Sequence, residues 1–227
     1  MSEKEIRQIR KDVACFMRRL YDRGLTTASG GNISYRVEQG FFITPSALDK
    51  GLIKPKQVGM ITFKGKNLTP DLKPSMESEM HLAIYQKRAD VQAIVHAHPP
   101  VASSFTAMKK EINCSLIAEA RAMLGTPVIA PYALMGTREL AAIVADAAAT
   151  NQNTGKSSDR EKSPAFPNVI LLENHGIVCL GKDLLSAFDR MEVLEAAAKM
   201  TLITSLMGST SPLNSEQMNQ IDHLMGI

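Results

Sequence analysis

Three of the five histidines in this 227-residue chain fall where strands would end. His96 and His98 lie in the segment IVHAHPP. Residues two apart on a strand share a face, so these two imidazoles project together. Pro99 and Pro100 end the ladder just beyond them, because proline has no N–H to donate. Such spacing suits chelation of a single metal ion. His175 lies in LLENHGIVCLG, in a turn between two apolar runs, where a neutral imidazole could reach the same point. Three imidazoles on a tetrahedral zinc ion leave a fourth position open, as catalytic sites require. Each histidine by itself also has a plainer reading, as a satisfied core or loop residue.

Glu77 adds an acid to this set. Pro74, Ser75 and Met76 precede it and mark a helix start. A carboxylate in a first turn is favoured by the helix dipole, so Glu77 is either dipole decoration, with Ser75 as the N-cap, or an acid facing the metal. In the second case the same helix N-terminus offers N–H groups to an anion. His81 lies one turn further on and shares the face of Glu77, which suits a supporting or core histidine.

Hydrophobic spacing supplies the elements that must carry these groups. Ile6, Ile9, Val13, Phe16, Met17 and Leu20 recur at helical spacing and predict a helix that stops near Gly24. TTASGGNISYRV is a Gly-Gly turn feeding a strand, GFFITPS a second strand, and VGMITF a third that ends at the turn from Lys64 to Asn67. A helix is expected through MESEMHLAIYQKR, a strand through VQAIVHAH and a short helix through VASSFTAMKK. An alanine-rich helix follows at TRELAAIVADAAAT. VILLENHGIVCLG reads as strand, tight turn, strand. A long helix over about 183–205 closes the body, before a tail and one last short helix. Residues 151–167 are polar and charged, too poor in apolar side chains to offset their ordering entropy, and are expected to form a flexible surface loop.

Bulk properties narrow the function classes. Apolar residues make up 44% and charged residues 22%, near globular averages, so a single domain over residues 1–227 is expected. A net charge of +3 without tryptophan argues against a nucleic-acid partner and for a small molecule. Cys15, Cys114 and Cys179 are odd in number and scattered, unlike a disulfide framework or a cysteine zinc knuckle. The charged start MSEKEIRQIRKD has no secretory pattern, and no run of about 18 apolar residues spans a bilayer. A cytoplasmic protein without membrane contact is expected.

Taken in order, KPSMESEMHLAIY, AIVHAHPP, APYALMGTREL and LLENHGIVCLG resemble the class II aldolase/adducin family, over residues 6–206. The likeness is to its L-fuculose-1-phosphate aldolase-like and ribulose-phosphate 4-epimerase group. It implies an α/β fold of three layers, α/β/α, with a central mostly antiparallel sheet, assembled as a homotetramer with sites at subunit interfaces. It implies one Zn2+ per subunit on His96, His98 and His175, with Glu77 as the catalytic proton carrier that also reaches the metal. The implied reaction cleaves a phosphorylated ketose to dihydroxyacetone phosphate and an aldehyde through an ene-diolate. A phosphate pocket is implied at Gly31 and Asn32, Ser46 and Ala47, and Ser75 and Met76.

The pocket departs from the family pattern. Ala47 stands where the family has glycine, and Met76 replaces a second serine hydroxyl. The family's mid-chain tyrosine falls near Ile117, and no tyrosine follows Leu206. The same metal and carboxylate would also serve a methylthioribulose-phosphate dehydratase, a pentulose-phosphate 4-epimerase or a decarboxylase. An adducin-like assembly module is the non-enzymatic alternative, and such modules are expected to lack the zinc histidines.

Overall fold

A computed structural model describes residues 1–151 and 166–225. Of the loop expected over 151–167, residues 152–165 therefore lie outside the described part. The strands are β1 (Asn32–Val37), β2 (Gly40–Ile43), β3 (Gly59–Thr62), β4 (Ala93–Ala97), β5 (Val128–Ala130), β6 (Val169–Leu172) and β7 (Gly176–Gly181). They form one sheet in the order β3-β2-β1-β4-β7-β6-β5. Only β5 and β6 run parallel; every other neighbouring pair is antiparallel.

Helices cover both faces. α1 (Glu3–Asp22), α3 (Pro100–Met108), α4 (Ala118–Leu124) and α6 (Leu184–Met207) pack on one side, through Met17, Phe105, Leu124 and Leu194. α2 (Ser78–Lys87) and α5 (Arg138–Ala148) cover the other, through Met80, Ile84, Leu140 and Val144. α7 (Ser215–Met225) is tied to α4 by Arg121, which grips Asp222 with two nitrogens at 2.7 and 2.5 Å. This is the expected three-layer α/β/α arrangement with a mostly antiparallel sheet. Among the described residues no helix is long and apolar enough to cross a membrane.

Strand alternation decides what faces what. On β4, Ala93, Val95 and Ala97 enter the core under α1 and α6, whereas Ile94 enters the core under α2. His96 has the parity of Ile94, so it too points toward α2. On β1, Ile33, Tyr35 and Val37 face the first core. Asn32 and Ser34 consequently face α2, and Asn32 sits directly opposite His96 in the register. One layer thus gathers the polar residues of two neighbouring strands beneath one helix.

Three local features differ from the sequence expectations. α4 and the three-residue β5 fall where no element was expected; both are too short for a periodic pattern to register. α2 begins at Ser78, with Glu77 rather than Ser75 in the N-cap position and no side-chain capping bond. The Ser75 hydroxyl instead accepts the Glu77 N–H at 3.3 Å. The Glu77 carboxylate is left free of its own helix and turned to the sheet.

Candidate active site

His96, at the end of β4, is completely buried, and its Nδ1 donates to the Ile177 carbonyl on β7 at 2.9 Å. A carbonyl only accepts, so this bond fixes Nδ1 as the protonated nitrogen and leaves Nε2 for another partner. His98 is anchored by its backbone N–H on the Leu25 carbonyl at 3.1 Å. His175 sits in the tight β6–β7 turn, where Asn174 takes a left-handed φ of 53° and the His175 N–H returns to the Leu172 carbonyl at 3.1 Å. The three rings cluster, with centroids 4.8, 5.0 and 5.4 Å apart.

Two glycines make room for them. A Cβ on Gly176 would lie 2.4 Å from His98 Cδ2 and 2.7 Å from the Ala97 carbonyl. Gly31 has a φ of +66°, and a Cβ there would meet the His96 carbonyl at 2.7 Å. Neither position accepts a side chain without moving a histidine or its backbone.

Glu77 closes the set. Its Oε2 lies 3.1 Å from His96 Nε2 and its Oε1 3.0 Å from His175 Nε2. Asn32 Nδ2 donates to Oε2 at 2.7 Å. Burial alone would push the Glu77 carboxyl up, but the adjoining His96 and His175 imidazoles outweigh it and hold it well below the usual carboxylate range. For His96, burial pulls down, while attraction to Glu77 and the bond to Ile177 carry the net shift upward. His98 is pushed down to about 3, chiefly by burial and then by the other two imidazoles, so it is neutral. A neutral imidazole is the form that binds a metal.

Orphaned atoms test whether these residues fit a metal. Buried His96 Nε2, His98 Nε2 and His175 Nδ1 have no hydrogen-bond partner among the described residues. Nε2 of His96 is close to Glu77 in distance but not aligned for a hydrogen bond. A buried polar nitrogen left unpaired costs about 1–3 kcal/mol, and three in one place are not explained by packing. One ring nitrogen from each of the three histidines falls in a group spanning no more than 4.8 Å, able to hold a metal ion. The donor set of imidazoles with a carboxylate suits zinc and other borderline divalent ions.

The residues expected to line a phosphate pocket lie beside this group. Ser46 Oγ accepts the Met76 N–H at 3.2 Å, which joins the two turns that carry Ser46, Ala47, Ser75 and Met76. The hydroxyls of Ser46 and Ser75 each accept a backbone N–H, which keeps their own protons available for donation. Met76 is 58% exposed, and its side chain offers no donor. Ala47 adopts a left-handed φ of 59°, which explains the glycine of the family pattern. The Asn32 side chain is largely committed already, to Glu77 and to His81.

Several contributors were not singled out from the sequence. Lys50 is 1% exposed, and its Nζ donates to the Pro45 carbonyl beneath the Ser46 turn. Burial lowers it to about 8, against an upward pull from Glu77. Nothing in its spacing marks it. Ser34 and Tyr85 were also missed, although Ser34 is two residues from Asn32 on a strand and Tyr85 one turn from His81. His81, expected as a supporting or core histidine, is completely buried, and burial lowers it to about 3, which keeps it neutral.

Residues 11–202 match the family described as Class II Aldolase and Adducin N-terminal domain. The L-fuculose phosphate aldolase of Methanocaldococcus jannaschii is 34% identical over 84% of this chain and 93% of its own length. The 5-deoxy-D-ribulose 1-phosphate aldolase of Bacillus thuringiensis serovar kurstaki is 31% identical over 93% and 92%. A solved L-fuculose 1-phosphate aldolase superposes with a TM-score of 0.80 at 26% identity, covering 100% of this chain and 98% of that one. With a family match spanning residues 11–202 and a relative 34% identical over 84% of its length, this chain belongs to the class II aldolase and adducin family.

Proposed function

We infer that the chain is a zinc-dependent lyase that cleaves a phosphorylated ketose into dihydroxyacetone phosphate and an aldehyde. The observation that carries this reading is the cluster of three imidazoles, each with a buried nitrogen lacking a hydrogen-bond partner among the described residues, two of which also touch the buried Glu77 carboxylate. His96, His98 and His175 would hold the ion, with Glu77 able to reach it. A bound divalent ion supplies Lewis-acid polarisation of substrate oxygens, worth several kcal/mol of charge stabilisation.

The chain's own groups do the rest. Cleavage requires the hydroxyl beyond the broken bond to lose its proton, so that the electron pair of the carbon–carbon bond passes to the phosphate-bearing fragment as an ene-diolate. That carbon must then be reprotonated. Glu77 is the carrier of this proton: ionised at rest, its carboxylate accepts the proton that the hydroxyl loses and returns it from a carboxyl oxygen to that carbon. Such help contributes roughly 10²–10⁴-fold. Gly31 and Asn32, Ser46 and Ala47, and Ser75 and Met76 form the anion pocket, with serine hydroxyls and backbone N–H groups as donors. The buried charge of Lys50 beneath the Ser46 turn favours the phosphate.

Assembly as a homotetramer belongs to the same reading. Tyr132, Leu134 and Met135 are all more than half exposed, and Gly136 brings their segment against Met76 at the site. An apolar surface at the rim of a site suits a neighbouring subunit.

The deciding experiment is an assay with a panel of phosphorylated ketoses, following dihydroxyacetone phosphate and aldehyde, before and after chelation and zinc return. Release of both products, lost on chelation and restored by zinc, is expected. Carbon dioxide release, dehydration or epimer interchange without the triose phosphate would replace the aldolase reading by one of its rivals.

A further inference from the structure

Behind Glu77 a file of buried polar groups runs away from the histidines, between β1 and α2. Asn32 Nδ2 lies 2.7 Å from Glu77 Oε2. The reverse amide orientation would set oxygen against oxygen at that distance, so the NH2 faces the acid and Oδ1 faces His81. His81 Nε2 is 2.5 Å from Oδ1. An amide oxygen only accepts, so Nε2 carries the proton of the neutral ring and Nδ1 its lone pair. Ser34 Oγ, 2.6 Å from Nδ1, must then be the donor there. With its single hydrogen spent, Ser34 accepts from the Tyr85 hydroxyl at 2.8 Å. The Gln92 carbonyl, 3.4 Å from that hydroxyl, is the weaker alternative and loses the competition. Every donor is fixed by the one before it, starting at the acid.

We propose that Tyr85, Ser34, His81 and Asn32 form a one-way hydrogen-bond chain that aims the Glu77 carboxylate at His96 and His175, which makes Ser34, His81 and Asn32 positioning residues for the proton carrier. The proposal rests on the role given to Glu77 above. Ser34 and His81 are fully buried in a layer otherwise filled by Met80, Ile84 and Ile94, where apolar side chains would satisfy packing at less cost. A buried polar network is stable only if every member is paired, and this one is paired along its length and terminates on the acid. Glu77, His81 and Tyr85 recur every fourth residue, one turn apart, and Asn32 and Ser34 every second residue on the strand. Helix and strand periods therefore stack the members in register.

Two measurements test it. In protein carrying 15N-histidine, a long-range proton–nitrogen correlation should show His81 with its proton on Nε2; a proton on Nδ1 overturns the chain's direction. In steady-state kinetics, His81→Leu should lower kcat about 10–100-fold, the range for groups that orient a ligand or acid from behind. KM should stay within about twofold in that variant, and bound metal per chain should not change. His81→Gln, whose amide can still donate to Asn32, should recover most of the loss. Unchanged kcat in His81→Leu, a loss expressed in KM or metal content instead, or no recovery in His81→Gln would each overturn the proposal. If His81→Leu does not fold, the tautomer in the unaltered protein decides. Unaltered protein with the Nε2 proton that cleaves no phosphorylated ketose supports the chain and overturns the assigned reaction. A proton on Nδ1 in an active enzyme does the reverse.

Discussion

Each end of α2 carries a buried polar cluster, and the two are built on opposite principles. At the C-terminal end, Arg88 is 3% exposed, yet all its donors are used. Nε and Nη2 grip Asp90 at 2.8 and 2.7 Å, Nη2 also reaches Asn168 at 3.0 Å, and Nη1 donates to the Ala148 and Pro167 carbonyls at 2.8 and 2.9 Å. At the N-terminal end, Glu77 faces His96 and His175, and His96 Nε2, His175 Nδ1 and the neighbouring His98 Nε2 have no hydrogen-bond partner among the described residues. The dipole of α2 favours the charge at each end, so it does not distinguish them. What differs is completeness. A satisfied cluster is structure; an unsatisfied one, kept buried, is waiting for a ligand.

Mutations at the two ends should separate these roles. Glu77→Gln is expected to cost about 10²–10⁴-fold in kcat while leaving unfolding free energy within about 1 kcal/mol. Full turnover in that variant would take the acid out of the mechanism. Arg88→Met should do the opposite, removing about 2–4 kcal/mol of stability by leaving buried carbonyls without donors, while kcat at a permissive temperature holds. Denaturant titration beside kinetics reads both.

A metal sharpens the contrast. Zinc at about 100 times its dissociation constant should add about 2.7 kcal/mol to the folded state. His98→Ala should lose that gain and the ion itself by elemental analysis, whereas Arg88→Met should retain both. Undiminished zinc in His98→Ala would break the ligand assignment.

Lys50 gives a smaller effect, with a sign that can be stated beforehand. Its pKa is about 8 in the folded chain against an ordinary value of 10.5, so the unfolded chain binds more protons between those values. Stability should therefore rise with pH from about 8 toward 10 through this group, and Lys50→Met should flatten the rise. An unchanged pH slope in the variant would show that Lys50 is not the source. The smallest effect is expected at Ala47. A left-handed alanine costs about 1–2 kcal/mol, part of which glycine returns as unfolded-chain entropy. Ala47→Gly should gain about 1 kcal/mol or less in chemical denaturation, and a loss would mean that the alanine methyl packs usefully.

Much of this was legible in the chain itself. Two histidines two residues apart before a pair of prolines pointed to a strand end carrying both rings, because the period of a strand is a local property; β4 in fact stops at Ala97, and His98 lies just beyond it. The amphipathic spacing of α1 and the Asp183 start of α6 are local in the same way, and the order of four motifs pointed to the family. Tertiary structure decided the rest. Only the pairing of β4 with β7 delivers His175 to the other two histidines, from a position nearly eighty residues away in the sequence. Only the docking of α2 on β1 shows that Asn32 is turned to Glu77 and that Ser34 and Tyr85 matter at all, and only the packed loops show that Lys50 is buried. Sequence spacing reports which side of its own element a residue occupies. What that side meets depends on packing between elements, and there the orphaned nitrogens first become visible.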